Sequence, residues 1–333
     1  MQAIYMMLVA AFLWSLYPIL IALSDGAIGA AVFVLVVHLS CGISAALFAW
    51  LSIKQKMVVW KNLITMTRSL NWDQWMYLSL IGLVSTLYNF CFVLSMSMTS
   101  KMGAAIVIES WPLFAMFLAP LLVTKNWTEL SLTDYLKGIM AMAGVFMIML
   151  GDKNGVSLIF TDFQTFIDSQ DFIAILGILV ALVGSVSLAL SIVLSAEISN
   201  RVSKIALQQS EPGLDCAFIG EVIRRVIALP PTLFLLFMFF DDLSVTWEGL
   251  AYSAFSGVFI FCVGSMLLTM ALLKSSSSTI NMLCYLSPVL AVVWLYLLGM
   301  GELTPMIIIG GALVVSSNLL VIEKNTNPKE KTP

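Results

Sequence analysis

The chain is poor in charge, in histidine and in any patterned cysteine. Only 11% of its 333 residues are charged, against 60% that are hydrophobic. A cytosolic domain of this length carries about twice that share of charge. A soluble fold could not hide so much apolar surface, but a bilayer can. The single histidine, His38, excludes a multi-histidine metal or haem centre built by this chain alone. The five cysteines, Cys41, Cys91, Cys216, Cys262 and Cys284, all fall in apolar stretches, and none has C-x-x-C spacing. They read as small packing residues rather than disulfides or metal ligands. No phosphate loop, nucleophile elbow or H-E-x-x-H motif is present. The chain is therefore not expected to be an enzyme, and no cofactor, metal or nucleic-acid partner is expected. Alternating polar and apolar strands are lacking too, which argues against a barrel.

What the chain has is apolar length, with a mean hydropathy of +1.01. About 20 apolar residues as a helix cross the roughly 30 Å hydrocarbon core. Ten such stretches are expected near 3–23, 27–52, 74–98, 102–124, 133–151, 171–196, 214–240, 249–273, 279–300 and 304–322. The start has no basic region ahead of its apolar run, so it reads as a retained first helix.

Ten spans would put both ends on one side. An N-terminus in the cytoplasm then places Lys54, Lys56, Lys61, Arg68, Lys125, Lys137, Arg201, Lys204, Lys274, Lys324, Lys329 and Lys331 on one face. The other face holds only Lys101 and Lys153, with Asp25, Asp162, Asp242 and other acids. The positive-inside rule makes the basic face cytoplasmic, with both termini there. The location expected is a cell inner membrane, crossed many times.

One step of sequence occurs twice. Glu109-Ser-Trp-Pro112-Leu sits in one apolar stretch and Tyr285-Leu-Ser-Pro288-Val in another. Each follows small and polar residues, and each precedes a dozen apolar residues, a polar break and a glycine-bearing segment. With five spans per copy the second copy would be inverted, an arrangement that creates a path between halves and two nearly equivalent states. The chain would then divide into a first repeat over 1–151, an external linker over 152–170, a second repeat over 171–323 and a cytoplasmic tail over 324–333.

Several residues could carry the chemistry. Glu109 falls mid-span, where a carboxylate is costly unless it faces protein or water. It suits contact with a substrate amine, proton binding, or both, against a structural acid bonded to a neighbouring helix. Arg224 and Arg225 lie one turn after Glu221 and suit an anion anchor or a structural ion pair. His38 matches Arg224 under the repeat. Trp14, Tyr17, Tyr88, Asn89, Trp111, Asn281 and Tyr285 could line a mid-membrane cavity for amino acids or amphiphilic metabolites. Pro18, Pro112 and Pro288 each remove an amide donor and could bend a gate or make an ordinary kink. Trp60, Trp72, Trp75, Trp127 and Trp247 fall near span ends and read as interface anchors. Gly138, Ala141 and Gly144, with Gly310 and Gly311, permit close helix packing or a homodimer face.

The motifs Trp14-Ser-Leu-Tyr17-Pro18, Trp111-Pro112, Ser287-Pro288 and Leu298-Gly-Met-Gly301-Glu302-Leu-Thr304-Pro, followed by Gly310-Gly-Ala-Leu-Val, resemble the drug/metabolite transporter superfamily, in its ten-helix EamA-type members. Ser110-Trp111-Pro112 and Tyr285-Leu-Ser-Pro288 are also similar to the amino-acid exporter branch. Lys125-Asn-Trp-Thr-Glu129 departs from the glycine-glutamate turn of the pattern, and the sixth span lacks the tryptophan and proline of the first. The resemblance implies an all-α membrane fold of ten helices in two inverted five-helix repeats. Spans 1–4 and 6–9 would surround the path, with spans 5 and 10 at its edge. It implies a secondary transporter for a small polar metabolite, amino acids first and export favoured, working by alternating access. Membrane lipid and protons are the other expected partners. Uptake of an amine, nucleoside or other metabolite is the alternative; a channel or an intramembrane enzyme is less supported.

Overall fold

The computed structural model describes residues 2–119, 132–151, 170–208, 213–239, 244–274, 283 and 286–323. Asn281 and Tyr285, the linker from 152 to 169 and the tail from 324 lie outside the described residues. The protein is an all-α, multi-pass membrane protein.

Helix α1 runs Gln2–Ser15 and α2 runs Tyr17–Ser24, meeting at Leu16. Pro18 sits in the first turn of α2, where a missing amide donor costs little. Helix α3 covers Ala30–Ser52. Helix α4 covers Lys56–Arg68, a stretch whose polar residues suggested only a loop. Its Val59 and Leu63, one turn apart, are buried while Lys56 rests over the Trp50 ring at 4.1 Å. Helix α5, Trp72–Met98, opens with a capping box between Asn71 and Gln74. Helix α6, Lys101–Ile108, and α7, Trp111–Ala119, follow, then α8, Leu132–Gly151. Helix α9 is the long one, Gln170–Ile205, and α10 covers Leu214–Met238. Helix α11, Trp247–Phe255, continues into a π-helix over Ser256–Gly264 and then α12, Ser265–Lys274. Helices α13, Leu286–Leu297, and α14, Pro305–Glu323, end the described chain.

Among the described residues, five helices are long and apolar enough to cross a membrane, not ten: Gln2–Ser24, Ala30–Ser52, Trp72–Met98, Phe172–Ser195 and Trp247–Ala271. The expected architecture of ten helices in two inverted repeats is corrected accordingly. The reasons are local. The stretch near 102–124 breaks at Glu109–Ser110 into α6, of 8 residues, and α7, described from Trp111 to Ala119. The stretch near 214–240 forms α10, which holds Glu221, Arg224 and Arg225 within its apolar run. The supposed copies also differ in shape: α1–α2 bends at Leu16, whereas α9 runs 36 residues without a break.

Packing follows the small residues. Helix α9 lies along α5, α10 along α3 and α5, and α14 along α8. At the last contact a Cβ on Gly144 would sit 2.6 Å from the Gly310 carbonyl oxygen, and one on Gly310 would sit 2.5 Å from that of Gly144. Two backbones touch there, so these glycines meet each other inside one chain. Large apolar side chains point outward instead, such as Ile43, Leu51 and Phe237. In a bilayer that face meets lipid.

One end of the bundle is fastened by main chain. Gly29 N–H donates to the Ser244 carbonyl at 2.9 Å, and Thr246 N–H to the Ala27 carbonyl at 2.9 Å. Ile28 and Val245 form the antiparallel bridge between them. Lys101 and Asp25, both partly exposed, form an ion pair at 3.6 Å nearby.

Candidate functional site

Helix α10 brings a charged group into the core. Glu221 precedes Arg224 and Arg225 by three and four residues, so all three share a face. Arg225 donates through Nε to Glu221 Oε1 at 2.7 Å, and its Nη2 bonds the same oxygen. Its Nη1 meets His38 Nδ1 of α3 at 2.8 Å. Guanidinium only donates, so Nδ1 accepts and the His38 proton sits on Nε2. Phe261 of the π-helix lies under the guanidinium at 5.0 Å, a cation–π contact. Cys41 Sγ donates to Glu221 Oε1 at 3.3 Å. Arg225 is thereby sealed, its side chain 2% exposed.

Arg224 is held differently. Its Nη2 contacts Glu221 Oε2, its side chain is 13% exposed, and its Nε has no hydrogen-bond partner. Two guanidinium groups against one carboxylate leave one positive charge in excess.

This group forms part of the wall of a cavity of about 270 Å³ between α1, α5, α9, α10, the π-helix and α12. Trp14, Tyr88, Asn89, Arg224 and Arg225 line it. So do Ser191, Ser195, Phe261 and Ser265, which sequence reasoning did not single out. Serines in apolar helices are too common to stand out before the helices are packed together. The π-helix had no sequence signal either. Such wide turns cluster at functional sites, and this one supplies Phe261 and Cys262.

Tyr17 and His38 lie behind the cavity. Tyr17 donates to Asn89 Oδ1 at 2.7 Å, and Asn89 Nδ2 donates to the Ser85 carbonyl at 2.9 Å. The Tyr17 ring packs edge-on against Phe261 and Phe92, with centroids at 4.8 and 5.2 Å. These bonds fix Asn89 as part of a rigid wall.

Glu109 is elsewhere. It ends α6, is 6% exposed, and accepts a hydrogen bond from the Trp111 side chain. With Trp111, Trp14 and Ser287 it lines a small pocket of about 30 Å³. Glu109 also edges an apolar groove of about 300 Å³ between α13 and α14, where Pro288 lies. Trp14 lines both the small pocket and the main cavity, so the indole stands between Glu109 and the arginine pair. The expected site residues therefore divide between two places. Pro112 and Pro288 fall in the first turns of α7 and α13, as Pro18 does in α2. Pro18 and Pro112 start helical segments rather than interrupt them. Among the described residues no group of histidine, cysteine or acid side chains is placed to hold a metal.

No protein-family model matches the chain, and no curated protein matches it. The EamA-type resemblance is therefore corrected and carried no further. Its most specific motif has a local cause. Gly299 has φ +67° and closes α13, with Met300 N–H donating to the Leu295 carbonyl at 2.9 Å. Thr304 then caps α14 by accepting from Ile307 N–H at 3.2 Å. A glycine stop and a Thr-Pro start serve any helix–turn–helix. One solved structure, described only as "Crystal structure of protein", aligns over 98% of this chain and 99% of its own, with a TM-score of 0.57 and 16% identity. That likeness shows the fold alone.

Proposed function

We propose that the protein is a secondary transporter that carries a small polar metabolite, amino acids first, across a cell inner membrane by opening one cavity alternately to each side. The observation that carries this reading is the cavity beside the Glu221–Arg224–Arg225 group, with the opposite end of the bundle fastened at Ala27–Gly29 and Ser244–Thr246. A charged group held inside an apolar bundle is costly, and such groups in membrane proteins mark solute or ion paths. The lining runs to Phe218 near the start of α10 and Thr269 in the middle of α12, away from the fastened end.

That same end carries Lys54, Lys56, Lys61 and Arg68, which the positive-inside rule assigns to the cytoplasm. Loading from the cytoplasm favours export. The aromatic and hydroxyl lining suits a metabolite with an apolar body and a polar head.

The test is purified protein in liposomes. A transporter gives saturable flux and exchanges labelled for unlabelled amino acid from preloaded vesicles. Flux of an amine or nucleoside alone would favour the uptake alternative. Unitary currents would make it a channel, and conversion of the solute would make it an enzyme.

A further inference from the structure

Five polar atoms without a hydrogen-bond partner belong to residues lining the main cavity: Trp14 Nε1, Tyr88 Oη, Ser195 Oγ, Ser265 Oγ and Arg224 Nε. They come from five different helices. The indole and the guanidinium can only donate, and the three hydroxyls can donate. Buried donors are costly unless an acceptor reaches them. The five atoms themselves have almost no accessible surface, and Trp14 Nε1 packs against Gly264, so they lie behind the cavity face rather than on it.

Charge sharpens the point. Glu221 is engaged on both oxygens by the two arginines. Arg225 is spent on Glu221 and His38 and is covered by Phe261. The excess positive charge therefore resides on Arg224, whose Nε is idle. An isolated cation in a low-dielectric site gains most from an anion, and guanidinium matches an oxyanion through two parallel bonds.

The geometry points to an oxyanion site: Arg224, whose side chain is 13% exposed in the cavity wall, binds the acid group of the solute, a carboxylate or a phosphate, and the hydroxyls of Ser265 and Ser195, residues of the same wall, turn toward its remaining acceptors. Arg225, Glu221 and His38 are positioning residues that hold α10 against α3 and leave Arg224 facing the cavity. Glu109 takes no part in this recognition. The inference rests on reading this cavity as the solute site, and it commits that site to acids over bare amines.

Four probes that share a phenyl ring test it on the purified full chain: 3-phenylpropanoate, phenylalanine, phenyl phosphate and phenethylamine. Calorimetry and the ligand-dependent shift in unfolding temperature are the readouts. The acid-bearing probes should bind and phenethylamine should not. The tighter of phenyl phosphate and 3-phenylpropanoate names the oxyanion. Arg224→Gln should weaken acid binding at least about tenfold, and Arg224→Lys should keep part of it, because charge-assisted guanidinium pairs are roughly twice as strong as neutral bonds. Ser265→Ala, a mild change, should weaken it by a smaller factor and leaves the test intact if the arginine variants do not fold. Equal binding of phenethylamine, unchanged acid binding in Arg224→Gln, or no binding of any acid overturns the inference. Acid binding without flux in vesicles would sink the transport reading and leave this site. Flux that survives Arg224→Gln undiminished would sink this site alone.

Discussion

Among the described residues two carboxylates inside the bundle, Glu221 and Glu109, are held in opposite ways. Glu221 accepts from both neighbouring arginines and from Cys41, and its charge is neutralised within its own helix. Glu109 ends a helix, takes a bond from Trp111, and edges one small pocket and one apolar groove. The difference shows that depth alone does not define a role. Glu221 fixes the shape of a site, whereas Glu109 borders spaces without an arginine in their lining.

The largest effect should come from breaking the Glu221 group. Glu221→Gln leaves Arg225 buried without its counter-charge, a change that costs about 3–5 kcal/mol for a buried pair. Unfolding in detergent should register a large fall in midpoint. Glu221→Leu combined with Arg225→Met removes both charges, and should recover much of that loss because an apolar pair of similar volume often replaces a buried ion pair without penalty. A double variant no more stable than Glu221→Gln would remove the account of Glu221 as a neutralised structural acid.

Next in size is Gly144→Leu at the α8–α14 contact, a backbone crossing outside the Glu221 group. Overpacking there should cost roughly 1–3 kcal/mol or more, while acid binding in the remaining folded protein stays unchanged. Loss of binding in step with stability would mean that the cavity depends on the whole bundle rather than on the Glu221 group.

Tyr17→Phe is smaller. It removes the hydrogen bond to Asn89 while keeping the ring against Phe261. The loss should be about 1–2 kcal/mol, since the Asn89 oxygen is left buried and unpaired. Smallest of all is Glu109→Gln. The amide oxygen can still accept from Trp111, so stability should move by less than about 1 kcal/mol. Acid binding in the cavity should hold while exchange across the membrane slows, which would separate the two carboxylates by function as well as by setting. Normal exchange would make Glu109 a structural acid.

Parts of this were legible in the sequence. Apolar stretches near 3–23, 27–52 and 74–98 match the spans Gln2–Ser24, Ala30–Ser52 and Trp72–Met98. The spacing of Glu221 before Arg224 and Arg225 signalled the pairing, because one turn of helix forces those side chains together. What depends on packing between helices was not legible. His38 was matched to Arg224 by offset, but its contact is with Arg225. Glu109 and the arginines share an apolar setting in sequence, yet Trp14 comes between them in space. The break at Glu109–Ser110 was hidden because hydropathy sums over a bend without registering it. The helix α4 was hidden for the converse reason: its buried stripe is only Val59 and Leu63 amid polar residues.

The fastening at Ala27–Gly29 and Ser244–Thr246 has a kinetic consequence. Its polar part is two main-chain hydrogen bonds, each worth a net ~0.5–1.5 kcal/mol, beside the packing of buried Ile28 on Gly249, with the exposed Lys101–Asp25 pair adding little. A closure of ~1–3 kcal/mol leaves roughly a tenth to a hundredth of molecules ajar at any moment. That end of the protein should breathe spontaneously, at a frequency that a larger side chain at Gly249, against Ile28, would raise and that amide hydrogen exchange at Gly29 and Thr246 would report.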